Sequence, residues 1–216
     1  MSKRYTRFTP IVTAWPTIFL LSAVGLFLAV ILSFVQSLEY SSTTRLLATQ
    51  DFSGSVDAYT ASRSAEIIAD DMANAIYTST FYDRVFASSN AIDESYFSPD
   101  NETKKRKKWG KAISTSVARS TGLLTVRVYH MDVDQAELLA VAISDVLVES
   151  GWEYTSGGDI SVQVVDDPLN SRWPVRPNIL VNAFSGFVLG ALAGIGYVLI
   201  QVERIKRRHQ LLHIDE

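Results

Sequence analysis

The stretch FTPIVTAWPTIFLLSAVGLFLAVILSFVQSL, Phe8 to Leu38, runs 31 residues without a charge. Near the other end PNILVNAFSGFVLGALAGIGYVLIQV, Pro177 to Val202, runs another 26. About 20 mainly apolar residues in a helix cross the hydrocarbon core of a bilayer. The two stretches therefore predict membrane-spanning helices over 17–36 and 179–202. Pro10 and Pro16 place the start of the first near Trp15–Thr17, with the Trp15 indole at headgroup depth. Its apolar core, Ile18 to Val35, exceeds the roughly 7–15 residues of a secretory signal core, and SFVQSLEYSS after it holds no A-x-A-like site, so the reading is a retained anchor. In a chain of 216 residues, two such runs argue against an ordinary soluble enzyme.

Working outward from the spans, both short ends are basic. Lys3, Arg4 and Arg7 precede the first, and Arg204, Lys206, Arg207 and Arg208 follow the second. Short Lys/Arg-rich segments stay on the cytoplasmic side. The expected topology has a cytoplasmic N-terminus over 1–16, a cytoplasmic tail over 203–216 and everything between the spans outside. That middle, 141 residues over 36–176, carries 13 basic against 20 acidic residues, a balance of −7 hidden inside a net charge of −3. It is long enough for one domain with its own core, and no nucleic-acid partner is expected. The chain has no cysteine, which excludes thiolate catalysis and zinc–thiolate sites.

Within the middle, Thr43–Thr49 (TTRLLAT) predicts a strand. Ile68, Met72, Ala75 and Ile76, extended by Tyr59, Ala65, Val85 and Phe86, mark a helical stripe over about 57–86. Ser88 to Lys111 is polar, carries Pro99 and a basic run, and reads as a loop. Ala112–Ala118 and Leu123–Tyr129 (LLTVRVY) read as strands about a Ser120-Thr121-Gly122 turn. Asp132 or Asp134 caps a helix to about Ser150, with Gln135 as a capping-box partner and Ala136, Leu139, Ala140, Ile143, Val146 and Leu147 on its apolar face. Gly151 ends it, and Ile160–Val165 (ISVQVV) alternates as the last strand. The order βαββαβ predicts a ferredoxin-like α+β module over 37–166, with helices on one face of an antiparallel sheet. A proline-rich linker, 167–178, holds Pro168, Pro174 and Pro177 and joins it to the second span as a stiff segment. Both ends of the module then lie near the membrane.

Two spans, an α/β module, a proline segment before the second span and a glycine-rich second span, in that order, resemble the Wzz-type chain-length determinants, the polysaccharide co-polymerases. The stretch VDQAELLAVAISDVL, Val133 to Leu147, is similar to a helix start common in that family. The resemblance covers nearly the whole chain. Larger members insert long extracytoplasmic helices, for which Ser88–Lys111 is the only spare length here. In size the chain is more similar to the short members that act beside a separate cytoplasmic tyrosine kinase, and no G-x-x-x-x-G-K-[ST] loop fuses a kinase to it. The resemblance implies a protein of the bacterial plasma (inner) membrane that forms ring-like homo-oligomers, works with a membrane polysaccharide polymerase and sets polymer length. It also implies activation of a kinase through the basic end, Arg204, Lys206, Arg207 and Arg208.

The residues themselves carry further expectations. Gly186, Gly190 and Gly194 lie four apart, so small residues on one face let backbones approach, either within the chain or between subunits. Pro174 and Pro177, with Pro168, set the angle of the module over the second helix. Lys104, Lys105, Arg106, Lys107 and Lys108, followed by Trp109, form a patch for an anionic polysaccharide or lipid headgroup aided by stacking on the indole, against the plainer reading of a solvated loop. Asn101-Glu102-Thr103 has the form of a glycosylation sequon, relevant only in a eukaryotic secretory setting. His130 reads as a surface or edge residue, and His209 and His213 make a poor metal site. Pairs such as Asp70-Asp71, Asp93-Glu94 and Asp166-Asp167 diverge in a helix or strand. No nucleophile elbow and no phosphate-cradling glycine loop is present. The chain thus reads as a non-enzyme without cofactor or metal: a membrane regulator of surface polysaccharide. The alternatives are an adaptor for a cytoplasmic kinase, a ligand-sensing module and, last, a hydrolase.

Overall fold

The computed structural model describes residues 13–52, 54–89, 91–97, 101–155 and 159–212. The chain divides into two units, one holding the two apolar helices and the other comprising residues 38–175. In the first, α1 (Trp15–Val35) has Pro16 in its first turn, where a missing N–H costs nothing. Its partner, the last helix of the chain, spans Ile179–Leu212 and is α6 below. Asn178 opens it, accepting the Val181 N–H at its side-chain oxygen. Both helices are long and apolar enough to cross a membrane.

Residues 38–175 form a mixed α+β unit on a four-stranded antiparallel sheet. In chain order it contains β1 (Tyr40–Asp51), α2 (Ala58–Ala75), α3 (Ser79–Ser88) and α4 (Glu102–Ala112), then β2 (Ile113–Ala118), β3 (Leu123–His130), α5 (Val133–Ser150) and β4 (Asp159–Asn170). Short 3-10 turns occupy Glu94–Tyr96 and Gly151–Tyr154. The strands lie side by side as β2-β3-β1-β4, every neighbouring pair antiparallel. Alternation decides the faces: Leu46 and Ala48 of β1 and Leu124, Val126 and Val128 of β3 are buried, while Arg45 and Arg127 point the other way into solvent. α2 covers β1, β2 and β3, and α5 covers β1, β3 and β4. Ile68, Met72, Leu139, Ile143 and Leu147 fill the layer between helices and sheet. Gly122 lies in the β2–β3 turn at φ +65, a conformation that disfavours a side chain, and a Cβ there would stand 2.5 Å from the Ala48 carbonyl oxygen.

Several local readings change. The single helix over 57–86 is two, because Thr78 caps a new start by accepting the Phe81 N–H after the chain turns at Ile76–Tyr77. The loop over 88–111 contains α4, capped by Asn101, so the Lys104–Lys108 run is helical. What compensates its polarity is packing: Trp109 is 2 % exposed and its indole N–H donates to the Ile76 carbonyl at 2.8 Å. Asp132 does cap α5, accepting the Asp134 N–H, but Gln135 makes no capping box. Its side chain instead clamps residues 91–93, accepting from the Asp93 N–H and donating to the Ala91 carbonyl. The first and last strands are longer than expected, twelve residues each. Pro168 therefore sits in β4 and not in a linker. It is tolerated because β4 is an edge strand and the register breaks there: Thr43 faces Leu169 while Arg45 faces Asp166.

Candidate functional site

Three groups of residues carry the functional expectations, and each has a defined setting. The glycines of α6 form the first. Their targets lie within the same chain, on α1. A Cβ on Gly190 would strike the Leu21 carbonyl oxygen and lie 2.8 Å from the Ser22 Cα. One on Gly186 would lie 2.5 Å from the Gly25 carbonyl oxygen, and one on Gly194 3.0 Å from the Ile18 Cα. Gly196, off this face, has nothing within 4 Å. The contact is reciprocal, since a Cβ on Gly25 would stand 3.0 Å from the Gly190 Cα. Backbone thus lies on backbone, which gives the dispersion and weak C–H contacts that small residues permit. Polar side chains add to it: Asn182 donates from Nδ2 to the Ser33 hydroxyl at 2.9 Å, and Ser33 donates to the Ala29 carbonyl. Gly25 was not among the sequence candidates, although Gly25 and Ala29 lie four apart, the same small-residue spacing seen in α6. Helix α1 is thus one half of a helix pair.

The second group is the basic helix α4. The aromatic residues beneath it take up two of its ammonium groups. Lys105 Nζ lies 4.1 Å from the centre of the Tyr82 ring and 3.3 Å from an Asp83 carboxylate oxygen, and Lys108 Nζ lies 3.7 Å from the centre of the Tyr96 ring. Trp109 packs against Tyr82, Phe86 and Phe97 with ring centroids 5.0–5.9 Å apart. Buried in that cluster, the indole has no face to offer a sugar ring, which corrects its assignment as a stacking platform. Lys104, Arg106 and Lys107 remain exposed.

The same aromatic cluster reaches His130, at 6 % exposure a core residue and not the surface residue expected. Its ring meets Tyr96 edge-on at 4.4 Å, and its Nδ1 accepts the Asp132 N–H at 3.0 Å. Nε2 is buried without a partner. Burial holds the imidazole below its usual titration range, against the opposing pull of the Asp132 carbonyl oxygen, 3.2 Å from Nδ1, and of the Asp132, Asp93 and Glu39 carboxylates. The periodic signal for this burial was present: His130 continues the inward alternation of Leu124, Val126 and Val128.

The third group is the segment between module and α6. Residues 171–175 do not hang free. The Ser171 N–H donates to the Ser41 carbonyl at 2.7 Å, the Ser41 N–H to the Ser171 hydroxyl at 2.9 Å, and the Val175 N–H to the Glu39 carbonyl at 2.8 Å. Pro174 thus lies in a stretch tied to the start of β1, and Pro177 follows a cis peptide bond. Beyond the apolar part of α6, Arg204, Lys206, Arg207 and Arg208 continue the same helix, with Arg207 3.6 Å from Glu203 one turn earlier. His209 is also on that helix; His213 lies outside the described residues. Compared with known proteins, the chain matches no family model and no curated protein.

Proposed function

We propose that the protein is a non-enzymatic, two-span regulator of surface-polysaccharide polymerisation and export, self-associating in the bacterial plasma membrane with both termini cytoplasmic and the α+β module outside. The observation that carries the reading is the combination of a backbone-to-backbone α1–α6 pair with one sheet module enclosed between the two helices in the chain. Both apolar runs support membrane insertion, and the basic residues at either end support the orientation. The strand order β2-β3-β1-β4, with crossovers through helices, supports the ferredoxin-like form of the module. No enzymatic role is invoked, because the chemistry needed is positional. A module whose last segment, 171–175, is hydrogen-bonded back to the start of β1 presents a constant surface to a growing chain and its membrane polymerase. Replacing Pro174 and Pro177 together by alanine is expected to shift the length distribution of the polymer on a gel while leaving the module folded by circular dichroism. An unchanged distribution refutes the positional mechanism.

A second reading rests on the uninterrupted course of α6 through Leu212. A basic helical turn projecting past the apolar segment suits docking of a cytoplasmic tyrosine kinase. Deleting 203–216 separates the two: loss of kinase phosphorylation with normal polymer length favours the adaptor.

A further inference from the structure

The module leaves apolar side chains in solvent at one end. Trp173 is 74 % exposed, and Leu38, Leu169 and Val175 are exposed with it. The backbone brings them together. The Val175 N–H donates to the Glu39 carbonyl and the Ser171 N–H to the Ser41 carbonyl, while Leu169 faces Thr43 in the β1–β4 register. Trp173 is therefore displayed on a segment tied down on both sides of it. An apolar group of this size, on backbone so constrained, marks an interaction surface.

Covalent geometry limits what can meet that surface. Leu38 is three residues past the end of α1, and Val175 is four before the start of α6. At about 3.6 Å per residue, they lie within roughly 11 and 14 Å of those ends. The polar layer on each side of a hydrocarbon core is itself roughly 5–8 Å deep. Trp and Tyr concentrate at both membrane–water boundaries. Trp15 and Tyr197 lie toward the ends of α1 and α6 that adjoin the basic termini. The opposite ends, Gly25–Val35 and Ile179–Gly190, contain neither Trp nor Tyr.

On the two-span reading above, on which this rests, we infer that the end of the module carrying Leu38, Leu169, Trp173 and Val175 docks in the headgroup layer of the outer leaflet, with the Trp173 indole as its anchor. The indole suits that layer, because its ring is apolar and its N–H donates to ester or phosphate oxygens. Asp167, two residues from Leu169, is exposed as well, so the docking is apolar in origin and needs no anionic lipid. It gives the module a third point of attachment to the membrane beside its two covalent ones.

The chain has no native cysteine, so a nitroxide can be placed at one site at a time in the full-length protein, reconstituted in phosphatidylcholine nanodiscs. The sites are Arg172→Cys beside the patch, Asp159→Cys at the far end of β4 and Leu189→Cys in the apolar part of α6. Accessibility to oxygen, which concentrates in lipid, and to a water-soluble nickel chelate is read by EPR power saturation. At 172 nickel accessibility is expected to be about threefold lower than at 159, and oxygen accessibility higher. Adding Leu169→Ser and Trp173→Ser to the 172 reporter is expected to return nickel accessibility to the 159 level, with the module still folded by circular dichroism. Equal nickel accessibility at 172 and 159 overturns the docking, as does a 172 signal that the double substitution leaves unchanged. So does a 172 nitroxide shielded from both reagents, because protein then covers the patch. Position 189 judges the two-span reading separately. An oxygen-rich 189 with a nickel-accessible 172 sinks the docking alone, whereas a nickel-accessible 189 sinks both.

Discussion

Replacing Trp109 by alanine tests the packing of α4 most directly. Among the described residues Trp109 is the largest fully buried side chain, and it joins Tyr82, Phe86 and Phe97 in one cluster. Truncating a buried Phe or Trp to alanine costs roughly 3–5 kcal/mol, since the transfer energy is lost and a cavity remains. The Ile76 carbonyl also loses its donor, a further contribution of about 1 kcal/mol. For a unit spanning residues 38–175, each kcal/mol moves the midpoint by roughly 3–4 °C, so a fall of roughly 12–24 °C is expected. Trp109→Phe keeps an aromatic body and loses the hydrogen bond, for about 1–2 kcal/mol. The assay is thermal unfolding of the detergent-solubilised full-length chain by circular dichroism. A Trp109→Ala midpoint within about 2 °C of the parent, together with weaker binding to an acidic polysaccharide, would refute the packing reasoning and return the indole to a ligand-stacking role.

Other positions give sharper local tests. Gly190→Leu is expected to force α1 and α6 apart at a cost of at least about 1–3 kcal/mol, lowering the detergent-unfolding midpoint, whereas Gly196→Leu, with open space around it, leaves the midpoint unchanged. Gly122→Ala combines a positive φ with a clash against Ala48 and Ala65 and is expected to destabilise the module by more than about 1 kcal/mol, read from a urea midpoint. His130 titrates below its unfolded value of about 6.5, so between those two values the unfolded chain binds the extra proton and stability rises with pH. Stability is therefore expected to fall as pH drops below about 6.5, and His130→Phe to flatten that slope. An identical slope in parent and variant would assign the acid sensitivity to other groups.

How far these features can be read from sequence depends on where the stabilising contact lies. The apolar runs, the inward alternation of β3 and the capped stripe of α5 are periodic within a single element, so they are visible in one dimension. Helix α4 is not. Only Trp109 and Ala112 of its eleven residues are buried, and its lysines are held by rings from Tyr82 and Tyr96, distant in sequence. Likewise Pro168 argues against a strand until β4 is known to be an edge. The role of Gly25 emerges only when α6 supplies the facing backbone. The glycine spacing in α6 announced a close contact but not which surface would meet it.

Helix α6 has a mechanical consequence. Its 34 residues make a rod of about 51 Å, against a hydrocarbon core of about 30 Å. The glycine face and the turn carrying Arg204 and Arg207 share one hydrogen-bonded cylinder, so they are locked in phase at about 100° per residue. A rotation of α6 about its axis where it grips α1 therefore turns the basic residues with it. On the two-span reading, the face within the bilayer and the basic turn beyond it keep one fixed angular offset.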